Sequence, residues 1–121
     1  RTQMSAETLL YSTLSGAAAV TAIVSTRIYP DVVPQDATLP CVAFNRIDTV
    51  YHTTIHSAVP VAETAILEIT CMAGTRVNAD ALADAVLAAV GAAGYVPSGR
   101  RGEIDTENAL WASVLTVEYL S

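Results

Sequence analysis

Three prolines within eleven residues constrain this chain more than any other feature. Arg27 to Ile47 reads R-I-Y-P-D-V-V-P-Q-D-A-T-L-P-C-V-A-F-N-R-I. Pro30, Pro34 and Pro40 each fix φ at about −65° and remove a backbone donor, so Tyr29 to Leu39 can be neither helix nor central strand. What remains is an extended arm that hugs a surface and suits contact with another chain. Directly after it, Cys41-Val-Ala-Phe-Asn-Arg-Ile47 alternates like a strand packed on one face, with Val42 and Phe44 to one side and Ala43 and Asn45 to the other.

The remaining elements follow from period and punctuation. Ser5 is a good N-cap, Glu7 lies in the first turn where the helix dipole favours it, and Leu10 and Leu14 are four apart, which predicts a first helix. Ser15-Gly16 interrupts it, and Ala17 to Val24 reads as a second short helix. Thr49 to Ser57 has no clear period and reads as a strand extension or a long hairpin tip. Val61 to Met72 carries the strongest strand signal, with Ala65, Leu67, Ile69 and Cys71 on one face and Ile66, Glu68, Thr70 and Met72 on a wetter one. Leu82, Val86, Ala89 and Val90 form the stripe of an amphipathic helix over Thr75 to Ala93, with Asp80 and Asp84 opposite and a cap at Thr75 or Asn78. Gly91 and Gly94 lie where its end is expected. Tyr95 to Asn108, with Pro97 and several glycines and serines, reads as a loop. Trp111 to Leu120 resumes strand character.

This order predicts an α+β fold, an antiparallel or mixed β-sheet with helices packed on one face, plus a long extended hairpin or loop. Its 121 residues are the size of a single domain. Arg1-Thr2-Gln3 precede Met4, a candidate initiator, and are set aside as an expression remnant or an unprocessed start, leaving residues 4–121 as one domain.

Composition narrows the partners. No run approaches the roughly 20 apolar residues a bilayer requires, so no membrane association is expected. Leu14 to Val24 comes nearest to a signal-peptide core but lacks a basic flank. With 12 acidic and 6 basic residues the net charge is −6, and only Arg100-Arg101 forms a basic pair. That disfavours specific nucleic-acid binding, which depends on a basic footprint. Cys41 and Cys71 fall in predicted strands without metal-ligand spacing. They read as buried free thiols, a disulfide remaining open on spacing alone.

Catalytic signatures are missing. His52 and His56 form H-x-x-x-H, but Thr53, Thr54 and Ile55 between them are β-branched, and four residues of extended chain span roughly 13 Å, too far for two ligands on one ion. The pair reads as solvent or interface histidines beside Tyr51. Glu103, Asp105 and Glu107 alternate, so an extended backbone projects all three to one side. They suit a solvated edge, a contact with Arg100-Arg101 of a neighbouring copy, or an acidic channel lining. Gly99-Arg-Arg-Gly102 reads as a flexible arginine-bearing loop. No nucleophile elbow, phosphate loop or calcium loop is present, and no catalytic, metal or cofactor residue is assigned.

Taken in order, Leu9-Leu10-Tyr11, Arg27-Ile-Tyr-Pro30, Pro34-Gln35 with Leu39-Pro40, the strand through Phe44 and Arg46, Leu67-Glu-Ile-Thr-Cys71 and Ala81-Leu-Ala-Asp-Ala-Val86 carry a resemblance. The chain resembles the small tail completion proteins of long-tailed bacteriophages, the group of lambda-like tail terminators and tail-to-head joining proteins. The resemblance implies a non-enzymatic virion protein, without cofactor, at the head-tail junction. It implies a homo-oligomer, a hexameric ring, that caps the tail tube protein and meets the head-tail connector or stopper protein while DNA passes through. Tyr29, Tyr51, His52, His56, Arg100, Arg101, Glu103, Asp105 and Glu107 are the candidate interface residues. A head-closure (stopper) protein of the same neck, and an unrelated small ligand-binding or regulatory module, are the alternatives.

Overall fold

The computed structural model describes residues 6–25, 27–30, 39–52, 62–105 and 110–120. Two helices open the fold, α1 (Ala6–Gly16) and α2 (Ala18–Val24). A short strand β1 (Ile28–Pro30) follows, then β2 (Cys41–His52), β3 (Ala62–Ala73), helix α3 (Arg76–Ala92), β4 (Val96–Asp105) and β5 (Leu110–Leu120). The strands form one mixed sheet in the order β1-β2-β3-β5-β4, with β1 parallel to β2 and every other pair antiparallel. This is the expected α+β class.

The alternation read from the sequence decides which face is covered. Val42↔Cys71↔Ser113 and Phe44↔Ile69↔Leu115 stand in register across β2, β3 and β5, and Leu67 pairs with Val117. Apart from Ser113, these side chains are apolar and are buried with Leu10 and Leu14 of α1, Val20 and Val24 of α2 and Leu82, Val86 and Val90 of α3 in one core. Each such burial contributes roughly 1.5–3 kcal/mol relative to exposure, which makes this layer the main source of stability. The opposite face carries Asn45, Asp48, Ile66, Glu68, Thr70 and Met72, partly exposed, and no described helix packs on it.

Helix α3 is punctuated as its sequence predicts. Thr75 has an extended backbone and its hydroxyl oxygen accepts from the Asn78 N–H at 3.2 Å. At the other end the Tyr95 N–H donates to the Val90 carbonyl and the Gly94 N–H to that of Gly91, with Gly94 at φ +95°. These are the two bonds of a Schellman ending, and buried Tyr95 and Val90 supply its apolar closure.

The proline arm begins and ends on the sheet. Tyr29 and Pro30 lie in the edge strand β1, where a missing N–H does no harm. Arg27 ties the region together: its Nε donates to the Pro40 carbonyl at 2.9 Å, its Nη2 to the Ile23 carbonyl at 3.3 Å, and its own carbonyl accepts from Val42 N–H. Residues 31–38 lie outside the described set. So do Ser5, residues 53–57 and the rest of the expected hairpin tip; β2 and β3 pair as far as His52↔Ala62.

One expectation is corrected. Residues 96–105 form a strand, not a loop: the glycines, serine and Pro97 that read as breakers sit at a sheet edge, with a register shift between Pro97 and Gly99 that absorbs the irregularity. Asp80 and Asp84 lie opposite the packed stripe, with side chains 50% and 71% exposed. They lean over the β4 edge of the sheet, as their contacts show.

Candidate assembly surfaces

Consecutive residues of a strand point to opposite faces, so Arg100 and Arg101 leave β4 in opposite directions. On the helix side Arg100 Nη1 reaches Asp84 Oδ1 at 2.9 Å and Nη2 reaches Asp80 Oδ1 at 3.4 Å. Ser113 Oγ donates to the same Asp80 oxygen at 3.1 Å. On the open side Arg101 Nη2 crosses β5 to Glu68 Oε2 of β3 at 3.2 Å, and its Nε meets Glu103 Oε2 at 3.3 Å. The hydrogen bond donated to Asp84 raises the Arg100 guanidinium above its ordinary value, and the one donated to Glu68 does the same for Arg101, so both are permanent cations. The segment read as a flexible arginine loop is therefore clasped on both faces.

A cleft of about 490 Å³ opens beside this cluster, where the first turn of α3 stands over the ends of β4 and β5. Arg76, Asp80, Arg100, Ile104, Trp111 and Ser113 are among its lining residues. Ile104 is 58% exposed, and Val77, which follows Arg76, is 77% exposed. A second, more apolar groove of about 370 Å³ lies between α1 and the β1 edge, lined by Thr8, Tyr11, Ile28, Pro30 and Phe44. Tyr11 leans on Phe44 there with ring centroids 6.4 Å apart.

The residues singled out from the sequence scatter. Arg100, Arg101 and Glu103 come together on β4, whereas Tyr29 is half-buried on β1 and Tyr51, 60% exposed, stands near the far end of β2. His52 ends β2 and Asp105 ends β4; His56 and Glu107 lie outside the described residues. Sequence reading missed Glu68, Asp80 and Asp84 as partners of the arginines, and Ser113 as the donor to Asp80. A signal existed for one: Ser113 occupies the apolar phase of Leu115 and Val117, which marks a polar group needing a buried partner.

Both thiols are free and buried, and burial pushes Cys71 up to about 12 and raises Cys41 as well. No cluster of metal-ligating side chains occurs among the described residues. No described helix is long and apolar enough to cross a membrane.

A two-layer α+β sandwich whose polar groups are spent on ion pairs and sheet edges, and which exposes apolar side chains around a cleft, is a protein of surfaces. In fold it is similar to a solved chain described as "Virion of native gene transfer agent (GTA) particle", with a TM-score of 0.73 and 20% identity over 90% of this chain and 88% of that one. Its sequence matches the family described as Tail completion protein gp17 over residues 8–116, and the chain belongs to that family. Membership of that family makes it a structural protein of a phage tail. No curated protein matches the sequence.

Proposed function

We propose that this chain is a ring-forming tail completion subunit that caps the phage tail tube and joins it to the head-neck connector. The family match over residues 8–116 carries this reading. The structure supports it physically: no described helix packs over one sheet face, the cleft and groove are bordered by exposed apolar groups, and function at such sites resides in contacts between chains. The protein acts by geometry, without catalysis or cofactor. The core fixes the positions of β1, the paired strands β2 and β3 and the β4 edge, and the surfaces around them meet adjacent copies, the tube and the neck. Part of the acidic surface, including Glu103, faces the channel and discourages DNA from adhering as it passes.

The test is electron microscopy of tails made in the absence of heads, with the chain carrying a visible tag. A ring of density at the head-proximal end of the tube is the expected result. Density found only on filled heads would replace this reading with a head-closure role, and absence from particles would end both.

A further inference from the structure

The groove between α1 and the β1 edge is uncharged, in a chain with net charge −6: its lining contains no Asp, Glu, Lys, Arg or His. A neighbouring hollow of about 360 Å³ shares Tyr11 and Ile28 with it and adds Ser15, Thr21 and Ser25, again without charge. Thr8, Tyr11 and Ser15 are three and four residues apart, so they stand on one face of α1 and join the two hollows into a trough roughly 10 Å long. The floor offers backbone as well. Ile28 pairs with Val42 in a parallel ladder, and the Val42 N–H donates to the Arg27 carbonyl at 3.0 Å. Alternation therefore turns the polar groups of Tyr29 toward β2 and the N–H and carbonyl of Ile28 outward along the sheet edge.

Such a site suits an uncharged, extended segment, since a charge set against these walls would be buried without a partner. Of the stretches of four or more residues outside the described set, 1–5 carries Arg1, 31–38 carries Asp31 and Asp36, and 106–109 carries Glu107. Residues 53–61 carry no Asp, Glu, Lys or Arg, and they open with the β-branched run Thr53, Thr54 and Ile55, which favours an added strand. Reach decides whose segment it is. It leaves β2 at His52 and returns at Ala62, so nine residues out and back extend at most roughly 16 Å. His52 lies eight residues of β2 beyond Phe44 in the groove, roughly 27 Å away, so a chain's own segment cannot arrive there.

We infer that residues 53–61 of one copy lie in the α1–β1 groove of a second copy, with Ile55 as apolar anchor and their backbone paired to the outward edge of Ile28. This is strand addition, in which main-chain bonds give affinity and pockets beside the edge give specificity. Because segment and groove are different surfaces, the contact is heterologous: every copy gives one segment and receives one, and the chain of contacts proceeds head to tail until a ring closes. The inference deepens the proposed ring reading and rests on it, adding which segment meets which surface.

Cross-linking tests it. Full-length Thr8→Cys and Ile55→Cys chains are mixed, both as purified protein and in assembled tails, and oxidised mildly. Thr8 is exposed, and the native thiols are buried and do not compete. A disulfide-linked pair of one chain of each kind is expected, and a chain carrying both substitutions should give a ladder of linked copies. In parallel, Ile55→Asp and Tyr11→Glu each place a carboxylate in the uncharged trough, and each is expected to lower incorporation into tails by roughly tenfold or more, with a thermal melt confirming the fold. Ile55→Val should incorporate normally. A doubly substituted chain that links only to itself, no linked pair in either preparation, or Ile55→Asp incorporating like wild type overturns the pairing. Imaging of the tails decides the ring reading separately, so a ring seen without the link leaves that reading standing.

Discussion

At Gly94 the backbone has φ +95°, a region L side chains rarely adopt, and no neighbouring atom lies within 4 Å of an added Cβ. A Gly94→Ala substitution therefore costs strain alone, about 1–2 kcal/mol, and lowers the melting temperature without altering assembly. Cys71 offers a second check. Its ordinary value is 9.0 and burial raises it to about 12, so between those values the folded chain keeps a proton that the unfolded chain releases. The stability this contributes is complete below pH 9 and declines as pH rises toward 12. At pH 8 both thiols should resist a disulfide-exchange reagent in the native protein and react fully in denaturant. Rapid native labelling would contradict the burial described for them.

Elements announced themselves in the sequence in proportion to what they bury. β2, β3 and β5 were legible because Val42 and Phe44, Leu67 and Ile69, and Leu115 and Val117 stamp a two-residue period on the chain, and α3 because Leu82, Val86 and Val90 stamp a helical one. β4 left no such mark. Its described side chains from Val96 to Ile104 are all exposed, so nothing in their pattern records a core, and its glycines and proline mimic a loop. The partners of its arginines were equally hidden, since Asp84, Asp80 and Glu68 lie 16, 20 and 33 residues away along the chain. Only the fold joins them.

The same facts make β4 the strand held least by packing and most by charge. Arg100→Ala and Arg101→Ala together should accelerate amide exchange along β4 while β2 and β3 keep their protection, and raised salt should move wild type in the same direction. Exchange that stays uniform across the sheet would show that the backbone ladder alone secures the edge. Exposed glycines, a bulge and charged side chains also keep β4 from recruiting a stray strand, so a growing stack of sheets is discouraged at that border.

Across the whole molecule, excess negative charge is the property most exposed to function. Neutralising Glu103, Asp105 and Glu107 to Gln, Asn and Gln should leave ring assembly intact and slow DNA ejection, as counted by genome release from triggered particles. Unchanged ejection would remove the channel role of these carboxylates. The anchoring of the arm has its own readout: Arg27→Ala should speed exchange at the Val42 amide, which donates to the Arg27 carbonyl at 3.0 Å.

That guanidinium grips the carbonyls of Ile23, in α2, and Pro40, directly before β2. It works as a hasp. A pull on the chain at Pro40 is passed through this one side chain to the end of α2, so the buried side chains of β2 do not carry it alone.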